Sequence, residues 1–565
     1  MKSKQNNIIP SHTSHGERPF GVRILSSSTA KVLLFVLIIG LGVFLRCFCL
    51  SADPPLSLSW SQDINTDPDQ YTSFARSKAL WGEWDLFGRN LVLALNSVLT
   101  LISYLFFKLL GVGRWQANFV AAGLSLLSLI FFYLAIKKGK DQTTALLATF
   151  FLGINYILVM YSRTTFAEVS VIFFIALGIY FFVLGSKRSW LFIPSGACFA
   201  VSIFFGKMLA MFMLPVCLGV LILSALEESP ENHPRNKFSG ILFFSAGSSS
   251  VALLWIFLIY SPFSETVSQF VSGMSVGLYG SPRGLDSLSD FIYSLFSFGG
   301  VTQVFASEKY SLGTDLFYRM PFLFILSLLS LLGLFFKIFK VRRIRENLRS
   351  CSRLEVFFAL WFVVGLFALM LWNYRPLRYQ VLLIPPMCVL AALCLVDFLN
   401  PSEIKKKSKR SMWFWIFSIP AASFLLFHTI SFFPKMLGMT LQLSSIIILS
   451  FLLSFPLTYV FHEAKRWKPN LRMKARKRVI VAEAILLVVI INGVQFWHSA
   501  GNLQHSLLNS SKDLGQILGE GAVISGPYSQ ALVMENDLKL VLRMFHAGDD
   551  DPDFFLKHPI THVAL

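Results

Sequence analysis

Ser61–Leu80, SQDINTDPDQYTSFARSKAL, follows the apolar run Val32–Leu50, VLLFVLIIGLGVFLRCFCL. The apolar run is long enough to cross a bilayer, which takes about 20 mainly apolar residues. The polar stretch after it gathers three aspartates (Asp63, Asp67, Asp69), a tyrosine and an arginine. The pair of segments reads as a membrane helix with an acidic platform at its outer end.

The same apolar character runs through the chain. Its 565 residues are 55% hydrophobic, 15% aromatic and only 14% charged, with a mean hydropathy of +0.62. Soluble domains carry about 25% charged residues, so this composition predicts an all-α polytopic membrane protein. Candidate spans are 32–50, 115–136, 142–161, 168–185, 189–205, 208–226, 238–260, 319–338, 355–373, 379–398, 412–432, 438–461 and 478–497, about 13 transmembrane helices in all.

The run 90–110 is equally apolar, but if it crossed, Lys137, Lys138 and Lys140 would fall outside. Laid along the outer surface, it leaves the strongest basic blocks cytoplasmic. Segments 1–31, 137–141, 186–188, 227–237, 337–355, 397–410 and 462–483 then hold 32 Lys+Arg against 11 Asp+Glu, and the remainder 18 against 20. Cytoplasmic loops are enriched in Lys and Arg, so the net charge of +19 reflects topology and anionic lipid rather than nucleic acid.

This arrangement gives a cytoplasmic tail 1–31 and a transmembrane domain 32–497 with outer loops 51–114 and 261–318. An outward tail 498–565 follows, in which AVISGPY, LKLVLRMF and ITHVAL read as strands of a small α/β segment. The sequence stops within a strand-like run, so this segment is expected to be small or truncated. Val32–Leu50 is long for a signal peptide and Leu-Ser-Ala is a poor cleavage site, so an uncleaved first helix with a cytoplasmic N-terminus is expected. The C-terminus is then outside. Seven cysteines, mostly within apolar runs and without ligand spacing, predict reduced thiols.

Chemistry is expected where charges interrupt the apolar pattern on the outward side. One of the aspartates could serve as a general base towards a hydroxyl group, and an apolar surrounding raises a carboxylate's pKa towards that task. The plainer reading is that they cap helices, since Asp-Pro-Asp is a good helix start. Arg163 and Glu168 in YSRTTFAE, Lys207 in FFGKM, and Arg375 and Arg378 in NYRPLRYQ all fall at outer ends of spans, with Arg46 and Arg89 nearby. Each alone reads as a snorkelling anchor. Together they form a basic rim suited to an anionic lipid head group, because arginine binds phosphate bidentately. The chain has no phosphate loop, HExxH or dinucleotide fingerprint, and Asp549–Asp553 lacks the pattern of a calcium loop.

The stretch TDPDQYTSFAR (66–76) resembles the Thr-Asp-Glu-x-x-Tyr-x-x-x-Ala-Arg signature of the GT-C superfamily. These are membrane-embedded glycosyltransferases that use polyprenyl-phosphate sugars, here in the branch of protein O-mannosyltransferases and aminoarabinose lipid A transferases. Thr66, Asp67, Tyr71, Ala75 and Arg76 match; Pro68 stands where the family has Glu. YSRTTFAE is similar to the family's Ser-Arg-x-x-x-x-Asp element, with Glu168 for Asp. FFGKM resembles the lysine turn that follows it, and RYQVLLIPP the Arg/Lys-x-x-Tyr segment. The matches run in family order over about residues 32–400. The family's Lys-Pro-Pro-Leu element has no counterpart beyond Gly88-Arg89-Asn90.

The resemblance implies a GT-C fold and transfer of a hexosyl or pentosyl group from a polyprenyl-phosphate-linked donor to a hydroxyl on lipid, glycan or protein. Asp67 inherits the catalytic role, with Asp69 as its substitute. Arg163, Lys207, Arg375 and Arg378 would hold the donor phosphate, supported by Tyr71, Arg76, Arg89, Glu168 and Tyr379. No cofactor is required; were a divalent cation used, Asp67, Asp69 and Glu168 would be its ligands. A flippase for lipid-linked saccharides is the alternative, for which charges at the bilayer midplane and paired repeats would be expected. For the topology, Lys137 should react with amine labels from the cytoplasmic side only; labelling from outside alone would overturn the arrangement.

Overall fold

The computed structural model describes residues 28–59, 63–87, 97–227, 238–265, 267–268, 316, 319–339, 352–370, 376–399, 452, 471–519, 521–543 and 553–564. The chain is mostly helical, as an apolar chain must be where lipid offers no partner to the backbone's polar groups. In chain order the helices are α1 (Ser28–Cys47), α2 (Asp63–Trp81), α3 (Ser97–Leu110), α4 (Arg114–Gly139) and α5 (Gln142–Ile154). Then come α6 (Tyr156–Tyr161), α7 (Ala167–Gly185), α8 (Phe192–Phe204), α9 (Met213–Glu227) and α10 (Ser239–Trp255). The last are α11 (Pro321–Phe339), α12 (Arg353–Met370), α13 (Ile384–Leu399), α14 (Leu471–Gly501) and α15 (Ser506–Leu518).

Among the described residues, 7 helical segments are long and apolar enough to cross a membrane. The candidate spans overlap described helices except 412–432 and 438–461, which lie outside the described residues but for residue 452, as does most of the loop 261–318.

Two local readings change. The run 142–161 is expected as one span, but it breaks at Asn155, whose side chain accepts from the Leu158 amide at 2.9 Å and caps α6. Asp-Pro-Asp does not open α2. The helix starts at Asp63 and carries Pro68 inside it, so one turn of α2 lacks an amide hydrogen. Helix α3, the described part of the surface-lying run, has 14 residues and packs on α2 and α4.

The helices enclose one continuous core in which Phe132, Phe199, Phe357, Phe358 and Trp361 are fully buried. Helices α8 and α10 approach through small residues. A Cβ on Gly196 would lie 2.1 Å from the Phe244 carbonyl oxygen, and one on Gly247 2.0 Å from that of Ile193. Ser248 donates to the Gly196 carbonyl at 3.1 Å across the same crossing. Small residues and hydroxyls of this kind let membrane helices pack closely.

After α14 the chain forms a three-stranded parallel sheet in the order β2-β1-β3, with β1 Val523–Ser525, β2 Lys539–Leu540 and β3 His562–Val563. Leu514 and Leu518 of α15 pack against its core of Ala522, Ile524, Val533, Leu538 and Leu540. The described cysteines, Cys47, Cys49, Cys198, Cys217, Cys388 and Cys394, are free thiols.

Gly247→Val should separate α8 from α10 and cost about 1–3 kcal/mol of stability, as overpacking typically does. The lowered unfolding temperature of the purified protein in lipid nanodiscs measures it.

Candidate functional site

Four chain segments meet at one end of the bundle. Helix α2 brings Asp67, and the turn between α6 and α7 leads into Glu168. The turn after α8 brings Lys207, and the short helical turn Leu377–Gln380 before α13 brings Arg378 and Tyr379. Gly206 makes the lysine turn possible: a Cβ there would lie 2.4 Å from the Ser202 carbonyl oxygen, the group to which the Lys207 amide donates at 2.9 Å.

The charges pair two by two. Arg378 forms an ion pair with Asp67, and Lys207 donates to Glu168 Oε1 at 2.5 Å. Between the pairs lies the Tyr379 ring, with Lys207 Nζ 4.2 Å and Arg378 Cζ 5.2 Å from its centroid. Such spacing lets one aromatic ring stabilise both cations. The Glu168 side chain is 0% exposed, whereas that of Asp67 retains 20%. The second Glu168 oxygen is buried without a hydrogen-bond partner among the described residues. Thr66 Oγ1 donates to Asp67 Oδ1 at 3.2 Å. Thr165 Oγ1 donates to the Pro68 carbonyl at 3.0 Å and fastens the α6–α7 turn to α2 beside Asp67.

The other expected site residues lie elsewhere. Asp69 is two positions from Asp67, about 200° around the helix, and turns to Arg114 at 2.8 Å. Arg114 also reaches Asp53 at 3.4 Å, and its backbone amide donates to Glu535 at 2.8 Å. Arg163 donates to the carbonyl of Cys49 at 2.9 Å, a residue in the left-handed region with φ 51°. Arg76 donates to the carbonyls of Asn536 and Leu538 at 2.6 and 2.9 Å. Tyr71 is buried in the core, and its carbonyl accepts from Thr100. Arg46 is not part of a rim: fully buried, it donates to Ser125 and to the Leu152 and Gly153 carbonyls at the end of α5. Arg89 and Arg375 lie outside the described residues, as does the side chain of Asp63.

Of the three carboxylates named as ligands for a divalent cation, Asp69 is held by Arg114, while Asp67 and Glu168 pair with Arg378 and Lys207. Among the described residues no three metal-ligating side chains cluster.

Sequence reasoning did not single out Arg114, Asp53, Glu535, Thr165 or Gln530. An arginine at the head of a long apolar helix was a usable signal, because a charge there needs a partner.

This architecture is the GT-C fold. The chain superposes on ArnT from Cupriavidus metallidurans in the apo state with a TM-score of 0.52 and 13% identity, over 92% of this chain and 87% of that one. The structure of the same ArnT bound to undecaprenyl phosphate gives 0.51 and 13%, over 95% and 86%. The oligosaccharyltransferase AglB from Archaeoglobus fulgidus, in complex with an inhibitory peptide and a dolichol-phosphate, gives 0.52 and 12%, over 92% of this chain and 65% of that one. Residues 98–264 match the family model of dolichyl-phosphate-mannose-protein mannosyltransferases. No curated protein matches the sequence. The chain is therefore similar to membrane glycosyltransferases of the GT-C superfamily, and its apolar helices make it an integral membrane protein.

The Asp69 cluster makes a pH prediction. Burial pushes its carboxyl up to about 6; Arg114 opposes this, while Asp53 and Glu535 add to it. A carboxyl raised above its unfolded value contributes stability that is full below the unfolded pKa of 3.8 and lost as pH rises through about 6. The unfolding temperature of the wild type should therefore rise relative to Asp69→Asn as pH falls from about 7 to about 4. Above about 7 the two curves should run parallel.

Proposed function

We propose that the chain is a glycosyltransferase that moves a sugar from a polyprenyl-phosphate-linked donor to a hydroxyl acceptor on lipid, glycan or protein. The observation that carries this reading is the convergence of Asp67, Arg378, Lys207 and Glu168 around Tyr379, a carboxylate base beside two cations with little water. The match over residues 98–264 and the GT-C fold support it. So do the structures of ArnT with undecaprenyl phosphate and of AglB with dolichol-phosphate and a peptide. The basic-loop asymmetry supports action on the outer face, with residues 32–497 as the transmembrane domain, the N-terminus inside and the tail 498–565 outside.

The reaction is a single in-line displacement. Asp67 takes the proton of the acceptor hydroxyl, and the acceptor oxygen forms a bond to the anomeric carbon of the sugar. The bond from that carbon to the phosphate oxygen breaks, its electron pair stays on the phosphate, and the proton leaves Asp67 for solvent. Arg378 and Lys207 stabilise the charge that develops on the departing lipid phosphate, an effect that is often the largest in catalysis. When the donor phosphate enters it shares Arg378 with Asp67, which loosens the carboxylate for the acceptor.

Asp67→Asn should lower transfer from polyprenyl-phosphate sugars by about 10²–10⁴-fold, the usual contribution of a general base, while donor binding persists. Lys207→Ala should instead weaken donor binding as well as turnover. Full activity in Asp67→Asn would overturn the mechanism.

A further inference from the structure

The C-terminal segment grips α2 at two points that flank Asp67. At one end Gln530 Nε2 donates to the carbonyl of Thr66, the residue immediately before Asp67, at 3.4 Å. The same amide donates to Pro527 at 2.7 Å, which holds its side chain in place. At the other end lies Arg76, ten residues along α2 from Thr66 and hence about 15 Å away. Its guanidinium is 0% exposed and donates to the Asn536 and Leu538 carbonyls. Those carbonyls are themselves fixed. The Asn536 side chain donates to Ser511 O at 2.5 Å and Leu532 O at 2.8 Å, and it accepts from the Leu538 amide at 3.1 Å. Between the two grips Met534 packs with Ala75, Phe107 and Ala117 in a buried apolar cluster.

The turn of α2 that carries Asp67 needs this help. Pro68 has no amide hydrogen to give to the Ile64 carbonyl, so this turn lacks one of its own backbone bonds. Side chains from other elements add bonds at two other carbonyls of the same turn: Gln530 at Thr66 and Thr165 at Pro68. A general base must stand within hydrogen-bond reach of the proton it takes, and a displacement of about 1 Å can cost about 10²-fold in rate.

We propose that Gln530 and Arg76 are positioning residues for Asp67, so that the segment 521–543 is a working part of the transfer site and not an independent appendage. This rests on the reading of Asp67 as the base.

The test uses the full chain in lipid nanodiscs with a polyprenyl-phosphate sugar donor. It measures donor binding stoichiometry and the single-turnover rate constant, which does not depend on the active fraction. Gln530→Ala should lower that rate constant about tenfold with stoichiometry intact. Gln530→Glu, of similar size but lacking the amide hydrogen, should match it. Arg76→Lys, which keeps the charge and one hydrogen bond, should shift the rate constant in the same direction.

Combining Gln530→Ala with Asp67→Asn should add nothing to the loss from Asp67→Asn alone, because groups that act as a unit are not additive. A wild-type rate constant in Gln530→Ala, with Asp67→Asn impaired, overturns this inference alone. So does a fall in stoichiometry at unchanged rate constant, or a Gln530→Ala effect that persists undiminished in the Asp67→Asn background. Full activity in Asp67→Asn removes the reading of Asp67 as base and this inference with it.

Discussion

Charge left unpaired at the apolar end of a helix bundle is expensive, and the site is arranged around that constraint. Asp67 and Glu168 would each destabilise the fold alone; Arg378 and Lys207 neutralise them one to one, with the Tyr379 ring between. The partners lie 311 and 39 residues apart in sequence, so the pairs exist only once the helices have packed. Folding therefore does the work of desolvating the cations before any substrate arrives. On the proposed reading, a donor phosphate would meet cations already oriented, which is where electrostatic stabilisation is strongest.

The arginines divide by what they face. Arg46 and Arg163 donate to backbone carbonyls where helices end, satisfying acceptors that have no partner within their own helix. Arg76 donates to two carbonyls of the C-terminal segment, and Arg114 joins Asp53 and Asp69 through its guanidinium and Glu535 through its backbone amide. Only Arg378 among the described arginines reaches Asp67. What looks in sequence like one basic rim is therefore a set of structural fasteners around the small charged cluster at Tyr379. The fasteners are what let that cluster keep its geometry.

Much of the helical framework was legible, because an apolar run of sufficient length has one good solution in lipid. Lys207 and Arg378 were legible as charges interrupting such runs, and Asp67 through its place in the 66–76 signature. The break at Asn155 was not, since a single capping residue does not change the hydropathy of the run around it. The roles of Arg46 and Asp69 were also hidden. A snorkelling arginine and a buried one have the same sequence surroundings, and two aspartates in one stretch differ only by the turn of the helix between them. The contact of Gln530 with Thr66 spans 464 residues, and no local pattern encodes it.

Pro68 shows how one substitution reshapes the logic of the site. A glutamate at this position would add a carboxylate next to Asp67 in the chain. Asp67 already takes up Arg378, so further negative charge beside it would need another cation. Proline removes that need, and in doing so it removes an amide hydrogen from the helix. That hydrogen would have met the Ile64 carbonyl; in the same turn the carbonyls of Thr66 and Pro68 accept from Gln530 and Thr165, side chains of other segments. The turn that lacks one backbone bond is thus also held from outside, which ties the place of Asp67 to the docking of distant elements.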